Sequence, residues 1–235
     1  MKIKVEVRER QSEKDPKLRG SADVTLGDVV IKDVAVKEFE DKFSEGQGSY
    51  YGVQMPSSRS YEKDDGTRVY VPAVEIKSAK EEDTKKIQKE VREIVSQAMT
   101  VEPNEYGKKV CEGEIDFDYN KDNIKTYVTP FASENNPNLR AFATAYIGNI
   151  VKINDIAMTE YTNKETNEQF TNINFPSKKI EKDGEIKYQE KVFTVGEGMR
   201  KNLISSIEEN YLSELEKDQT QNQEHETEEE EEPEM

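Results

Sequence analysis

Two stretches hold the residues whose types and spacing could do chemistry. Val53-Gln54-Met55-Pro56-Ser57-Ser58-Arg59 reads as the end of a strand, an apolar residue, a proline that stops the ladder, and a hydroxyl-rich turn carrying a cation. Asn172-Ile173-Asn174-Phe175-Pro176-Ser177-Lys178-Lys179 has the same order of parts. A loop arginine can grip a phosphate with two parallel hydrogen bonds, and serine hydroxyls can donate to its other oxygens. The candidate phosphate-contacting set is therefore Ser57, Ser58, Arg59, Arg68, Ser177, Lys178 and Lys179. Each turn is followed by a charged loop ending in Asp-Gly (Asp65-Gly66, Asp183-Gly184), with Tyr70 or Tyr188 four residues beyond the glycine. Tyr61, Tyr70 and Tyr188 can stack on unpaired bases where they face outward. The plainer reading is of solvated surface cations and of tyrosines that pack a sheet.

Other chemistry finds little support. His225 is the only histidine and lies in an acidic tail, and Cys111 is the only thiol. A serine or cysteine nucleophile thus lacks an ordered histidine base, and zinc lacks its usual ligands. Asp116, Asp118 and Asn120 open like a calcium loop, but Lys121 and Tyr127 stand where glycine and a bidentate glutamate are required. No phosphate-cradling glycine loop is present. The expectation is of a protein that is not an enzyme and uses no cofactor or metal.

The formal charge is −16 over 235 residues, which by itself opposes a nucleic-acid partner. Its distribution weakens that objection. Ser213 to Met235 holds eleven acidic side chains and one lysine, so about −10 of the total sits in the last tenth of the chain. A tail of this kind keeps a protein soluble, covers cationic loops, or docks on a basic partner. Apolar residues make up 33% and charged residues 36%, which favours small cores and two modules over one thick domain. The lone cysteine fits a reducing compartment. No basic start precedes an apolar run, and no segment nears the ~20 apolar residues of a membrane span, so a cytoplasmic, non-membrane protein is expected.

The elements that must position the turns follow from periodicity. Ile3, Val5 and Val7 alternate with charged residues as in a half-buried strand, and Ala22, Val24 and Leu26 lead through Gly27-Asp28 into the β-branched run Val29–Val36, a hairpin. Lys37–Ser49 reads as a mobile loop, Tyr50–Met55 and Arg68–Val71 as strands. Ser78 and Glu81 have capping-box spacing, and Ile87, Val91, Ile94, Val95 and Ala98 then recur at helical spacing. Along that helix Lys85, Lys86, Lys89 and Arg92 are diluted by interleaved acids and read as a solvated face. Residues 100–123 are a linker or an extra strand. From Ile124 the pattern restarts: at an offset of 121 Ile3 falls on Ile124, Leu18-Arg19 on Leu139-Arg140, and Leu26-Gly27 on Ile147-Gly148. One inserted residue later, Asp33-Val34-Ala35-Val36 falls on Asp155-Ile156-Ala157-Met158. The loop Thr159–Gln169 is again polar, and Met199, Leu203, Ile207, Tyr211 and Leu215 recur every four positions. The reading is α+β: two tandem modules, 1–99 and 124–215, each a small antiparallel sheet followed by a C-terminal helix, then a disordered acidic tail over 216–235.

Gly20-Ser21-Ala22-Asp23-Val24-Thr25-Leu26, Val29–Val36 and Gly52–Arg59 resemble the bacterial septation regulators named for stage V sporulation protein G. The second module resembles the same family more distantly, with Phe175 in place of methionine and Lys178-Lys179 in the basic position. The resemblance implies a small sheet with a terminal helix, a cytoplasmic bacterial or phage-borne regulatory role, and DNA or RNA as partner. It also implies pairing as dimers, so two copies in one chain look like a covalent pseudo-dimer. The chain departs from the family in its duplication, its long loops and its acidic end. A protein-interaction module that kept the fold without the binding is the alternative, with self-association or a basic protein on the acidic tail as its partners.

Overall fold

The computed structural model describes residues 1–40, 48–182 and 184–229, with fifteen strands and two helices among them. β1 (Lys2–Glu9), β2 (Leu18–Leu26) and β3 (Val29–Glu40) form an antiparallel meander, with Ile3 opposite Leu26 and Leu26 opposite Val29. β4 (Ser49–Gln54) pairs with the far half of β3. The chain then turns at Pro56 into a separate two-stranded ribbon, β5 (Ser57–Glu62) with β6 (Arg68–Pro72), and continues as the short β7 (Val74–Ile76). After α1 (Glu81–Thr100), β8 (Lys109–Glu114) returns to pair with the free edge of β1. Residues 100–123 therefore contain a strand, and Met1 closes it by donating from its amino group to the Ile115 carbonyl at 2.7 Å.

The second half repeats these pairings in β9 (Ile124–Pro130), β10 (Leu139–Ile147), β11 (Val151–Thr162) and β12 (Gln169–Asn174), with Ile124 opposite Ile147 and Val128 opposite Ala143. A ribbon, β13 (Ser177–Lys182) with β14 (Glu185–Glu190), leads to β15 (Val192–Thr194) and α2 (Glu197–Glu229). Details recur as well as pairings. Arg19 Nε reaches Glu38 at 2.7 Å and Arg140 Nε reaches Glu160 at 2.8 Å. The Phe39–Tyr50 and Tyr161–Phe170 ring pairs both stand 5.6 Å apart.

The α+β expectation of two successive sheet-then-helix modules is overturned by how the sheets close. β7, from the first half, pairs with β11 of the second, Val151 opposite Ile76. β15, from the second half, pairs with β3 of the first, Val192 opposite Ile31. Each large sheet thus contains a strand from the other half, and one continuous hydrophobic cluster runs through both. The molecule is mostly β. The lean composition was expected to favour two separate small cores; instead the halves share their apolar residues, which buries more of each than either could alone.

The helices keep their predicted stripes. Ile87, Val91, Ile94, Val95 and Ala98 are all buried, as are Met199, Leu203 and Ile207, whereas Tyr211 and Leu215, predicted on the same stripe, are only half-buried. The capping box does not form: α1 begins at Glu81 with Lys80 as its cap residue, and Thr84 Oγ1 accepts from the Ser78 amide at 2.8 Å instead. The segment expected to be disordered from residue 216 continues α2 as far as Glu229. Glu, Gln and Lys are good helix formers, and adding turns to an existing helix needs no new nucleus. The expected loop Lys37–Ser49 is narrower than predicted, since β3 runs to Glu40 and β4 starts at Ser49; 41–47 lie outside the described residues. So does Asp183 of the second Asp-Gly pair, whereas Gly184 matches Gly66 with φ of 78°.

Candidate functional site

The two Pro-Ser turns meet where the chain crosses between sheets. Pro56 O accepts from the Ala73 amide at 2.7 Å and Pro176 O from the Lys191 amide at 2.8 Å, so each turn closes the base of its ribbon in the same way. Lys191 Nζ donates to Ser57 O at 2.5 Å, tying one turn to the other. Ser58, Arg59, Phe142, Asp155, Pro176 and Ser177 together line a cavity of about 360 Å³.

Two aspartates, equivalent in the two halves, organise this junction. Asp33 and Asp155 both stand in the left-handed region, with φ of 58° and 53°. Each sits next to a register shift in its hairpin, between Ala22 and Val24 and between Ala143 and Ala145. A bulge of this kind re-aims a side chain and switches which face the following residues occupy. Asp tolerates the conformation better than most residues. Asp155, of the second half, accepts a short hydrogen bond from Ser58 Oγ and lies 3.3 Å from Arg59 Nε. Asp33, of the first half, lies 2.6 Å from Lys178 Nζ. The arrangement is reciprocal: each half supplies a carboxylate to the other half's turn. The switch shows in burial, which falls on Val29 and Ile31 and then on Val34 and Val36, as a bulge at residues 32–33 requires; Val30 and Ala35 are apolar too and hide that parity in the sequence.

The predicted set consequently divides. Ser57, Ser58, Arg59, Ser177 and Lys178 are gathered at the junction, where Ser58 and Lys178 are engaged by the aspartates. Arg59 has the Asp155 contact yet keeps 69% of its side chain exposed. Lys179 is exposed on β13 opposite Tyr188. Arg68 stands farther out on its ribbon, with Nε donating to Ser60 Oγ at 3.1 Å and the guanidinium over the Tyr70 ring at 5.8 Å. Tyr61, Tyr70 and Tyr188 face out rather than packing a sheet; Tyr70 is 55% and Tyr188 72% exposed.

Charge beyond the junction is mixed. Lys178 opens onto a concavity of about 520 Å³ on the outer face of the first sheet, where Arg8, Arg10, Lys32 and Lys108 alternate with Glu6, Glu9, Asp23 and Asp33. Lys108 and Lys4 hold the Glu6 carboxyl below its ordinary range. Burial pushes the Lys191 ammonium down, and Asp33 opposes that shift. The described residues contain no cluster of His, Cys, Asp and Glu fit for a metal ion, and no helix among them is long and apolar enough to cross a membrane. Comparison of the chain with protein-family models, with curated proteins and with solved structures finds no match.

Proposed function

We propose that the protein is a nucleic-acid-binding regulator of the stage V sporulation protein G type, bacterial or phage-borne, in which the two halves act together as an internal pseudo-dimer. The observation that carries this reading is the pair of β-ribbons. β5–β6 and β13–β14 leave the junction as two equivalent two-stranded arms outside the main sheets, and each presents exposed cations beside an exposed tyrosine. A two-stranded ribbon fits a nucleic-acid groove, cations there neutralise phosphates, and an outward tyrosine can stack on a base. The alternative, a protein-interaction module, draws on the same outward aromatics but gives the paired cations no task.

The test uses a chain ending at Lys217, which removes most of the acidic end, with labelled DNA and RNA in single-stranded and duplex form. Binding should fall steeply with salt. Replacing Arg59 by glutamine and Arg68 and Lys179 by glutamate should weaken binding at least ~100-fold, because three phosphate contacts of ~1 kcal/mol or more are lost and two of them become repulsive. The thermal transition should move little, since all three are exposed. Lys178 is left unchanged there because a glutamate beside Asp33 would strain the fold. Absence of binding to every nucleic acid at low salt sinks the proposal.

A further inference from the structure

We infer that the outer face of the second large sheet is a stacking platform for the unpaired bases of single-stranded nucleic acid; the inference rests on the nucleic-acid reading above. Tyr127 on β9 and Phe131 just beyond it, with Phe142 and Tyr146 on β10, occupy the alternate positions that turn away from the core. Tyr127 and Tyr146 stand 5.9 Å apart at 83°, and Phe131 and Phe142 stand 5.4 Å apart. Tyr127 is 63% exposed and Phe131 47%. At the offset that relates the halves, the first sheet has Glu6, Arg10, Ser21 and Thr25 in these places. The repeated fold therefore does not require the rings, and two exposed ring pairs on one sheet face mark a ligand surface.

Three observations choose a single strand as that ligand. Cations border the rings at both ends: Lys125 and Lys152 flank Tyr146 in register on the neighbouring strands, and Arg140 pairs with Phe131 through the backbone at 2.8 Å, with Thr129 and Thr144 between the two ring pairs. Lys152 and Arg140 are held by Glu75 and Glu160, while Lys125 makes no ion pair among the described residues. Rings bordered by cations suit a strand whose bases stack while its phosphates pass at the margin. The platform is also continuous with the Pro-Ser junction, because Phe142 lines the same cavity as Arg59. Finally, the sheet edge beside it is closed to an added polypeptide strand. β9 has no neighbour on that side among the described strands, yet Asn210 Nδ2 donates to Thr126 O at 3.2 Å and Pro130 has no amide to offer. A ligand on this face meets the rings themselves, and a duplex keeps its base faces buried.

The chain contains no tryptophan, so Tyr127→Trp installs a single reporter on the platform. The chain ending at Lys217 and carrying this change is titrated with a mixed-sequence single-stranded DNA, the same sequence as duplex, and heparin, a polyanion without bases. Tryptophan emission should be quenched saturably by the single strand and unchanged by duplex or heparin. In anisotropy, Tyr127→Ala with Phe131→Ala should weaken single-strand binding ~10- to 100-fold and leave duplex binding as it was, while Tyr127→Phe should bind as the parent does. Single-strand binding that persists without quenching, or that the double alanine variant keeps, overturns the inference and leaves the ribbon reading intact. Binding to no nucleic acid removes both and leaves the aromatic face to a protein partner.

Discussion

Asp155 decides how much of Arg59 a phosphate can claim. It holds the guanidinium at 3.3 Å and takes the Ser58 hydroxyl as well, so a ligand phosphate must displace a carboxylate already in place. Asp155→Asn keeps the shape and the tolerance for positive φ while removing the charge. We expect nucleic-acid affinity to rise severalfold and the magnitude of the salt slope to increase by roughly one, as one more cation becomes free to release counterions. Stability should drop by about 1 kcal/mol, the scale of a lost charge-assisted hydrogen bond at a part-exposed site. Anisotropy across a salt series and thermal unfolding read both effects, and unchanged affinity with lower stability would make the contact structural alone. The predicted cations were legible because residue type and spacing mark a turn directly. Their partners were not: an aspartate in a β-branched run carries no mark of pointing across the molecule until the register shift is recognised.

The short strands β7 and β15 do more than their three residues suggest, since each is the seam by which one half completes the other's sheet. Among the described residues, β7 is secured by side-chain hydrogen bonds that its counterpart β15 lacks. Glu75 Oε1 accepts from Lys152 Nζ at 2.9 Å and from Asn154 Nδ2 at 2.8 Å, and Asn154 also donates to Pro72 O at 3.0 Å. Burial alone would raise the Glu75 carboxyl, but the Asn154 and Lys152 hydrogen bonds outweigh it and hold it below its ordinary value. A carboxylate lowered by folding contributes stability that is complete above its unfolded range, about 4.3, and is lost as the pH falls through the lower folded value. Glu75→Gln should therefore cost about 1 kcal/mol at neutral pH and a few degrees in Tm, with the gap from the parent closing as acid protonates Glu75. Thermal scans from neutral pH down to about 3 measure this, and a constant gap at all pH values would contradict the assignment. The alternating strands and the helix stripes were readable from periods of two and near four, but β5 and β13 were not, because their polar residues read as a turn and a charged loop. That β7 and β15 exchange sheets was not, because three alternating residues pair equally well with either edge.

At the scale of the whole molecule the halves are joined through a residue that belongs to neither repeat. The Tyr119 ring lies between Gly27 and Gly148, the equivalent hairpin glycines, with φ of 57° and 61°. A Cβ at either would run into that ring, and Tyr119 Oη accepts from the Asp28 amide at 3.2 Å. Gly148→Ala should accordingly cost more than the ~1–2 kcal/mol of left-handed strain, and adding Tyr119→Ala should recover the excess in a double-mutant cycle. Chemical denaturation of the four forms measures it; simple additivity would place the ring elsewhere. The exchanged strands allow a stronger prediction. A fragment of residues 1–123 retains β1 to β8 and α1 but loses β15, so half of the β3 edge is unfilled while β7 has no β11 to join. Since β7 and β15 occupy equivalent places, β7 of one fragment can pair with β3 of another, and the reverse contact forms at the same time. Such an exchange closes on itself around a two-fold axis, satisfies both edges and restores a shared core. The fragment should run as a folded dimer by light scattering, with unfolding that depends on its concentration. Ile76→Asp would place a charge in the exchanged strand at a buried position and should shift the fragment toward an unfolded monomer. A stable, folded monomer of residues 1–123 would show that the first half closes its own sheet and that the exchange adds nothing essential to the fold.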